Sequence, residues 1–263
     1  MPTVAAHGIE IFYERRGAGA PLLFCNGSGA TLATSGPLID PFAARFDVVA
    51  HDQRGLGRTS IPPGPYEMAD YAADALALLD HLGWERCRVV GISFGGMVAQ
   101  ELAVRAPERV ERLALVCTSP GGAFASYPLH TLETMSADEL AALGATLLDT
   151  RFTAEHLAAH EGDRLLAEMI AERRAAPATG EVLRGERAQM DARSRHDVVD
   201  RLGRITCPTL VAGGRYDGIA PVANSEAIAT RVPGARLEIY EGGHMFFVQD
   251  PAALPDILDF LAA

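Results

Sequence analysis

The sequence predicts an α/β domain: a mainly parallel sheet covered by helices and interrupted by a helical insertion. Three observations lead there. Short unbroken apolar runs, among them LLFC at 22–25, RVVGI at 88–92, LALVC at 113–117 and TLVAGG at 209–214, have the length and content of strands buried on both faces. Helical patterns separate these runs, giving strand–helix–strand units whose crossovers make the strands parallel. Between residues 120 and 204 the alternation stops, and a stretch rich in Ala, Glu, Arg and Leu carries no strand pattern.

The elements follow in order. Val4-Ala5-Ala6, a turn at His7-Gly8 and the run Ile9 to Tyr13 read as an antiparallel hairpin. The strand LLFCN runs into NGSGATLATSG, read as a Gly/Ser-rich loop, and the strand FDVVA runs into HDQRGLGRTS. After Pro62, Pro63 and Pro65, the spacing of Tyr71, Ala75, Leu78, Leu79 and Leu82 predicts a helix over 68–82 closed by Gly83. CRVVGIS is a strand, and GGMVAQELAVRAPERV a helix stopped by Pro107. In the insertion, helices are expected over 137–148 and 153–176. The strand CPTLVAGG, a helix over 222–231, the strand RLEIY and a last helix from Ala252 complete the chain. Residues 1–119 and 205–263 thus form a core domain, with 120–204 inserted.

Bulk composition narrows the function. At 263 residues and 48% hydrophobic content, the chain can bury a large core. No apolar stretch approaches the roughly 18 residues of a membrane span. The N-terminal segment has neither a basic leader nor a following apolar block, so a cytoplasmic protein is expected. A net charge of −11 argues against nucleic acid as a partner. All 23 basic residues are arginine, which excludes Schiff-base catalysis and a lysine-dependent phosphate loop. Cys25, Cys87, Cys117 and Cys207 form no CxxC pair and are expected to be small buried residues, with Cys25 notable for adjoining the 26–36 loop. No metal or cofactor is expected: the cysteines form no CxxC pair, and no dinucleotide fingerprint follows a strand correctly.

The chemistry centres on GISFGG, residues 91–96, at a strand-to-helix junction. A G-x-S-x-G turn there lifts Ser93 clear of the sheet, while the N–H groups of the following helix face the site. A serine hydroxyl needs a base, and the base needs an acid to orient it. His244, in EGGHMFFVQDP after the last strand, is the candidate base. The other seven histidines read as core or solvent residues. Asp217, in VAGGRYDGIAP, is the candidate acid, although an Asp there is also a common turn or cap residue. Three strands therefore end in loops carrying Ser93, Asp217 and His244, at the edge where parallel sheets bind ligands. Asp52 and Arg54 are read as a structural loop rather than as a charged catalytic pair.

Across its full length the chain resembles the α/β-hydrolase family, on the stretches NGSG, HDQRGLGRTS, GISFGG, GGRYDGIAP and EGGHMFFVQDP. The segments GPYEMADYAADALALLDHLG and GISFGGMVAQELAVRAPERVERL are similar to the 3-oxoadipate enol-lactonase and small-carboxylesterase branch. The resemblance implies an eight-stranded sheet with helices on both faces and a helical lid between strands six and seven. It implies a catalytic triad of Ser93, Asp217 and His244, and an oxyanion hole formed by the N–H groups of Phe94 and Ser28. Family members often read His-Gly-x at the latter loop, where this chain reads Asn26-Gly27-Ser28.

The expected activity is cofactor-independent hydrolysis of a small carboxylic ester or lactone through an acyl-enzyme. Carbon–carbon bond hydrolysis is disfavoured by Ile92, where that branch often carries Asn. Cofactor-free haloperoxidase or perhydrolase chemistry uses the same triad, and a hydrolase-fold small-molecule receptor can retain it, so both stay open. So does self-association into a homo-oligomer. An Asp-nucleophile dehalogenase or epoxide hydrolase is excluded by Ser93.

Overall fold

The computed structural model describes residues 2–174 and 178–263. The first part of the chain forms β1 (Thr3–Ala6), β2 (Ile9–Gly17), β3 (Pro21–Cys25), α1 (Leu32–Ala43), β4 (Asp47–His51), α2 (Met68–His81), β5 (Cys87–Ile92), α3 (Phe94–Arg105) and β6 (Val110–Val116). The insertion carries α4 (Ala137–Leu148), α5 (Ala154–Ala159), α6 (Glu161–Arg174) and α7 (Gly180–Ser194). The chain returns through β7 (Thr209–Gly214), α8 (Val222–Ala229), β8 (Arg236–Tyr240), α9 (Phe246–Gln249) and α10 (Ala253–Ala262).

The strands form one eight-stranded sheet in the order β1-β2-β4-β3-β5-β6-β7-β8. The β1–β2 and β2–β4 pairs are antiparallel, and every pair from β4 to β8 is parallel. Strand alternation sorts the core to two faces. Leu23, Val49, Val89 and Leu113 pack on one side with Tyr71 and Leu78 of α2 and Met97 and Leu102 of α3. Leu22, Phe24, Val90 and Ala114 pack on the other with Ile39 and Phe42 of α1 and Ile257 and Leu261 of α10. Leu148, Phe152 and Leu166 form a small separate core inside the insertion.

Two expectations need correction. The stretch read as a loop from Asn26 becomes helical at Leu32, and α1 contains Pro37 and Pro41. Prolines inside a helix remove N–H donors and disguise it in sequence. The start of α1 is capped from outside it, since Asp52 Oδ1 accepts the Leu32 N–H at 2.7 Å. The single helix expected over 153–176 is two, α5 and α6, broken at His160, whose backbone is extended. The end expected at Ala176 lies outside the described residues. Asp52 and Arg54 do not pair: Asp52 also accepts the Arg58 N–H, and Arg54 makes a two-pronged contact with buried Asp74 at 2.7 Å.

Candidate active site

Ser93 stands between β5 and α3 with φ 55° and ψ −116°. A non-glycine residue there is strained by on the order of 1–3 kcal/mol, and its surroundings must enforce it. Ser93 N–H donates to Val116 O at 2.8 Å, and Thr118 Oγ1 donates to Ser93 O at 2.7 Å. Glycine is required on both sides by close approach: a Cβ on Gly91 would overlap the Gly95 carbonyl, and one on Gly95 would overlap the Cys25 carbonyl. The turn is thus wedged between β3, β6 and its own helix.

Ser93 Oγ lies 3.0 Å from His244 Nε2, and His244 Nδ1 lies 2.8 Å from Asp217 Oδ2. With Asp217 ionised, Nδ1–H donates to it and Nε2 is left to accept the serine hydroxyl. The other carboxylate oxygen of Asp217 accepts the N–H groups of Ile219 and Ala220, both at 2.8 Å. Asp217 is fully covered by protein, yet both its oxygens have partners, as a buried carboxylate requires. Burial of His244 opposes its charged form, but the Asp217 carboxylate and the sulfur of Cys117 outweigh burial and raise the ring above its ordinary pKa. Cys117, itself at φ 44°, was not legible as a neighbour of His244. All four cysteines are buried and unpaired, and burial pushes the Cys25 thiol up to about 12, so Cys25 is not a reactive thiol.

The loop at 26–29 reaches the same point. A Cβ on Gly27 would sit 3.7 Å from Ser93 Cβ, which places this peptide against the serine. Ser28 lies in that loop, half-buried, and Phe94 heads α3, where first-turn N–H groups have no partner within the helix. The Phe94 ring packs edge-on against Tyr71 with centroids 5.0 Å apart. Asn26, in place of the family's frequent His, uses its carbonyl to accept from Gln53 Nε2 at 2.8 Å. Gln189 of α7 accepts the Gly29 N–H at 2.8 Å and donates to Gln53 Oε1 at 3.1 Å. Among the described residues, no group of three or more His, Cys, Asp or Glu side chains could hold a metal ion. Nor is any described helix long and apolar enough to cross a membrane.

The family model described as the alpha/beta hydrolase fold matches residues 20–251. The chain belongs to that family. It is 30% identical to a putative carbamate hydrolase RutD of Azorhizobium caulinodans, over 98% of this chain and 97% of the relative. It is 28% identical to 3-oxoadipate enol-lactonase 2 of Acinetobacter baylyi, over 95% and 92%. The solved enol-lactonase of Burkholderia xenovorans LB400 superposes with a TM-score of 0.81 at 25% identity, with both chains fully covered.

In this hydrolase the insertion touches the 26–29 loop and the loops of Asp217 and His244. Beyond the Gln189 contact, Tyr127 N–H donates to Ile219 O at 2.7 Å and Thr150 N–H to Tyr216 O at 2.9 Å, both on the acid loop. His244 N–H donates to Leu148 O at the end of α4. Sequence reasoning missed these contacts, because each joins residues some 70 to 160 positions apart with no local pattern.

Proposed function

We propose that the chain hydrolyses small carboxylic esters or lactones through an acyl-enzyme on Ser93. The observation that carries this reading is the continuous relay from Asp217 Oδ2 through His244 to Ser93 Oγ, with links of 2.8 and 3.0 Å. Ser93 Oγ attacks the substrate carbonyl carbon as His244 Nε2 takes its proton. Negative charge gathers on the carbonyl oxygen, where the N–H groups of Phe94 and Ser28 receive it. One such donor is worth about 10²–10³ in rate. The imidazolium, held by Asp217, then gives its proton to the departing oxygen as the tetrahedral centre collapses. Water attacks the acyl–Ser93 ester by the same route in reverse, His244 again accepting the proton, and the acid leaves. The residues 120–204 act as a lid over this centre and choose the substrate.

Two relatives are named for a carbamate and an enol-lactone, and both groups present an acyl carbonyl of the kind this relay attacks. The deciding experiment is turnover of p-nitrophenyl acetate and a small lactone panel by the native chain and by Ser93→Ala. Loss of turnover in a folded variant is expected; near-native turnover would overturn the assignment.

A further inference from the structure

We infer that Gln249 is a positioning residue that fixes His244 through the inserted helices, an inference that rests on His244 being the base. Gln249 ends α9, the short helix that follows His244, and its side chain turns back toward the loop. Its Oε1 accepts the Gly243 N–H at 2.8 Å. Its Nε2 donates to Asp149 Oδ2 at 3.0 Å and to Asp163 Oδ1 at 3.2 Å, both on the insertion. The next N–H along, that of His244, donates to Leu148 O. Two consecutive peptides at the base therefore end on the insertion, one directly and one through the Gln249 amide.

The surroundings are built for this contact. Gly243 admits no side chain, because a Cβ there would overlap the Leu148 carbonyl and lie 2.6 Å from Asp149 Cα. Gly242, at φ 131°, leaves room for the Gln249 amide: a Cβ there would be 2.8 Å from its Oε1. Asp149 is fully covered and is held in place by Arg151, at 2.9 and 2.6 Å. The second oxygen of Asp163 faces His156 Nε2 at 2.8 Å. Only an amide fits the middle of this arrangement, because it accepts one hydrogen bond and donates two to a pair of carboxylates. A glutamate of the same shape would keep the Gly243 contact, lose both donors and set a third carboxylate against Asp149 and Asp163. Gln249→Glu thus cuts the link to the insertion while leaving the loop's own hydrogen bond intact.

The test compares kcat and KM for p-nitrophenyl acetate in native protein, Gln249→Glu, Asp163→Ala and Ser93→Ala, each well below its melting temperature. A misplaced base slows the chemical step, so Gln249→Glu is expected to lower kcat by about 10- to 100-fold with KM within about threefold. Asp163→Ala, which removes one of the two acceptors on the insertion, is expected to lower kcat by a few-fold, roughly in the same sense. The rate at which an organophosphonate modifies Ser93 should fall in the same proportion, a change that loss of stability alone would not produce. If folded Gln249→Glu keeps native kcat while Ser93→Ala is inactive, the positioning role is wrong and the triad stands. If Ser93→Ala keeps its turnover, the triad reading itself fails. Should Gln249→Glu not fold, Gln249→Met, which removes the amide without adding charge, decides: native kcat there overturns the link.

Discussion

Gln189 Oε1, on the inserted helix α7, accepts a hydrogen bond from the Gly29 N–H in the loop beside Ser93, at 2.8 Å. The same amide donates to Gln53, whose own Nε2 holds the Asn26 carbonyl. Gln189 and Gln53 are both buried, so water does not replace the bond between them, whereas Gly29 lies at the surface. Gln189→Ala removes the partner of the Gly29 N–H and of Gln53 Oε1, at about 1–3 kcal/mol for the buried Gln53 oxygen. It also frees the peptide that carries Ser28. We expect a lower melting temperature and, in the variant that remains folded, a fall in kcat of about 10-fold or more, bounded by the 10²–10³ of a lost oxyanion donor. Differential scanning calorimetry with steady-state kinetics separates the two effects.

Gly95 sets the height of Ser93 above the sheet. A Cβ on it would overlap the carbonyl of Cys25, which is backbone in a central strand and cannot step aside. Gly95→Ala should cost about 3 kcal/mol or more, the upper end of overpacking penalties, which is about 10 °C in a chain of this size. Gly83 offers a contrast: its φ is positive, 67°, and there is open space where a Cβ would go. Gly83→Ala should cost only about 1 kcal/mol, from backbone strain alone. Equal losses in the two variants would show that steric contact at Gly95 is not what fixes the elbow.

What the sequence made legible follows from where the determining contacts lie. Helix α2 was readable because its apolar spacing and its stop at Gly83 are both local. Helix α1 was not: Pro37 and Pro41 argue against it, and Asp52, some 20 residues away, supplies its cap. Ser93, Asp217 and His244 stood out because each follows an apolar strand in a glycine-bearing loop, and the fold brings them within hydrogen-bond distance. Gln189, Gln249 and Asp149 carry no such mark. An amide or carboxylate in an amphipathic stretch looks like surface until the chain 100 or more residues away is packed on it.

Two buried histidines predict an acid-sensitive fold. Burial lowers His51 and His196 to about 4 from 6.5, and His196 has neither ring nitrogen hydrogen-bonded among the described residues. Between pH 6.5 and 4 the unfolded chain protonates these rings and the folded chain does not. The unfolded state then binds more protons, so stability is present above pH 6.5 and is lost as pH falls toward 4, by about 3 kcal/mol for each histidine. Urea titrations at pH 7.5 and 4.5 should show the loss, and His196→Gln should reduce it. An unchanged pH dependence in His196→Gln would mean that the ring is charged or solvated in the folded protein.

Asp217 should be visible in the pH dependence of catalysis. In the proposed relay His244 must be neutral to accept the Ser93 proton, so kcat/KM is expected to rise with pH as the ring loses its own proton, with a midpoint that reports the free enzyme. The Asp217 carboxylate raises that ring above 6.5, which places the acid limb of the native profile on the alkaline side of an ordinary histidine. Asp217→Asn removes the charge and keeps the shape. Burial then acts on the imidazolium without that compensation, and the limb should move to lower pH. The amide can also present its NH₂ to Nδ1 and hold the wrong tautomer, so kcat should fall by about 10⁴-fold. An activated ester at high enzyme concentration keeps the residual rate measurable. A limb that stays in place despite the lost charge would show that Asp217 is not what raises His244.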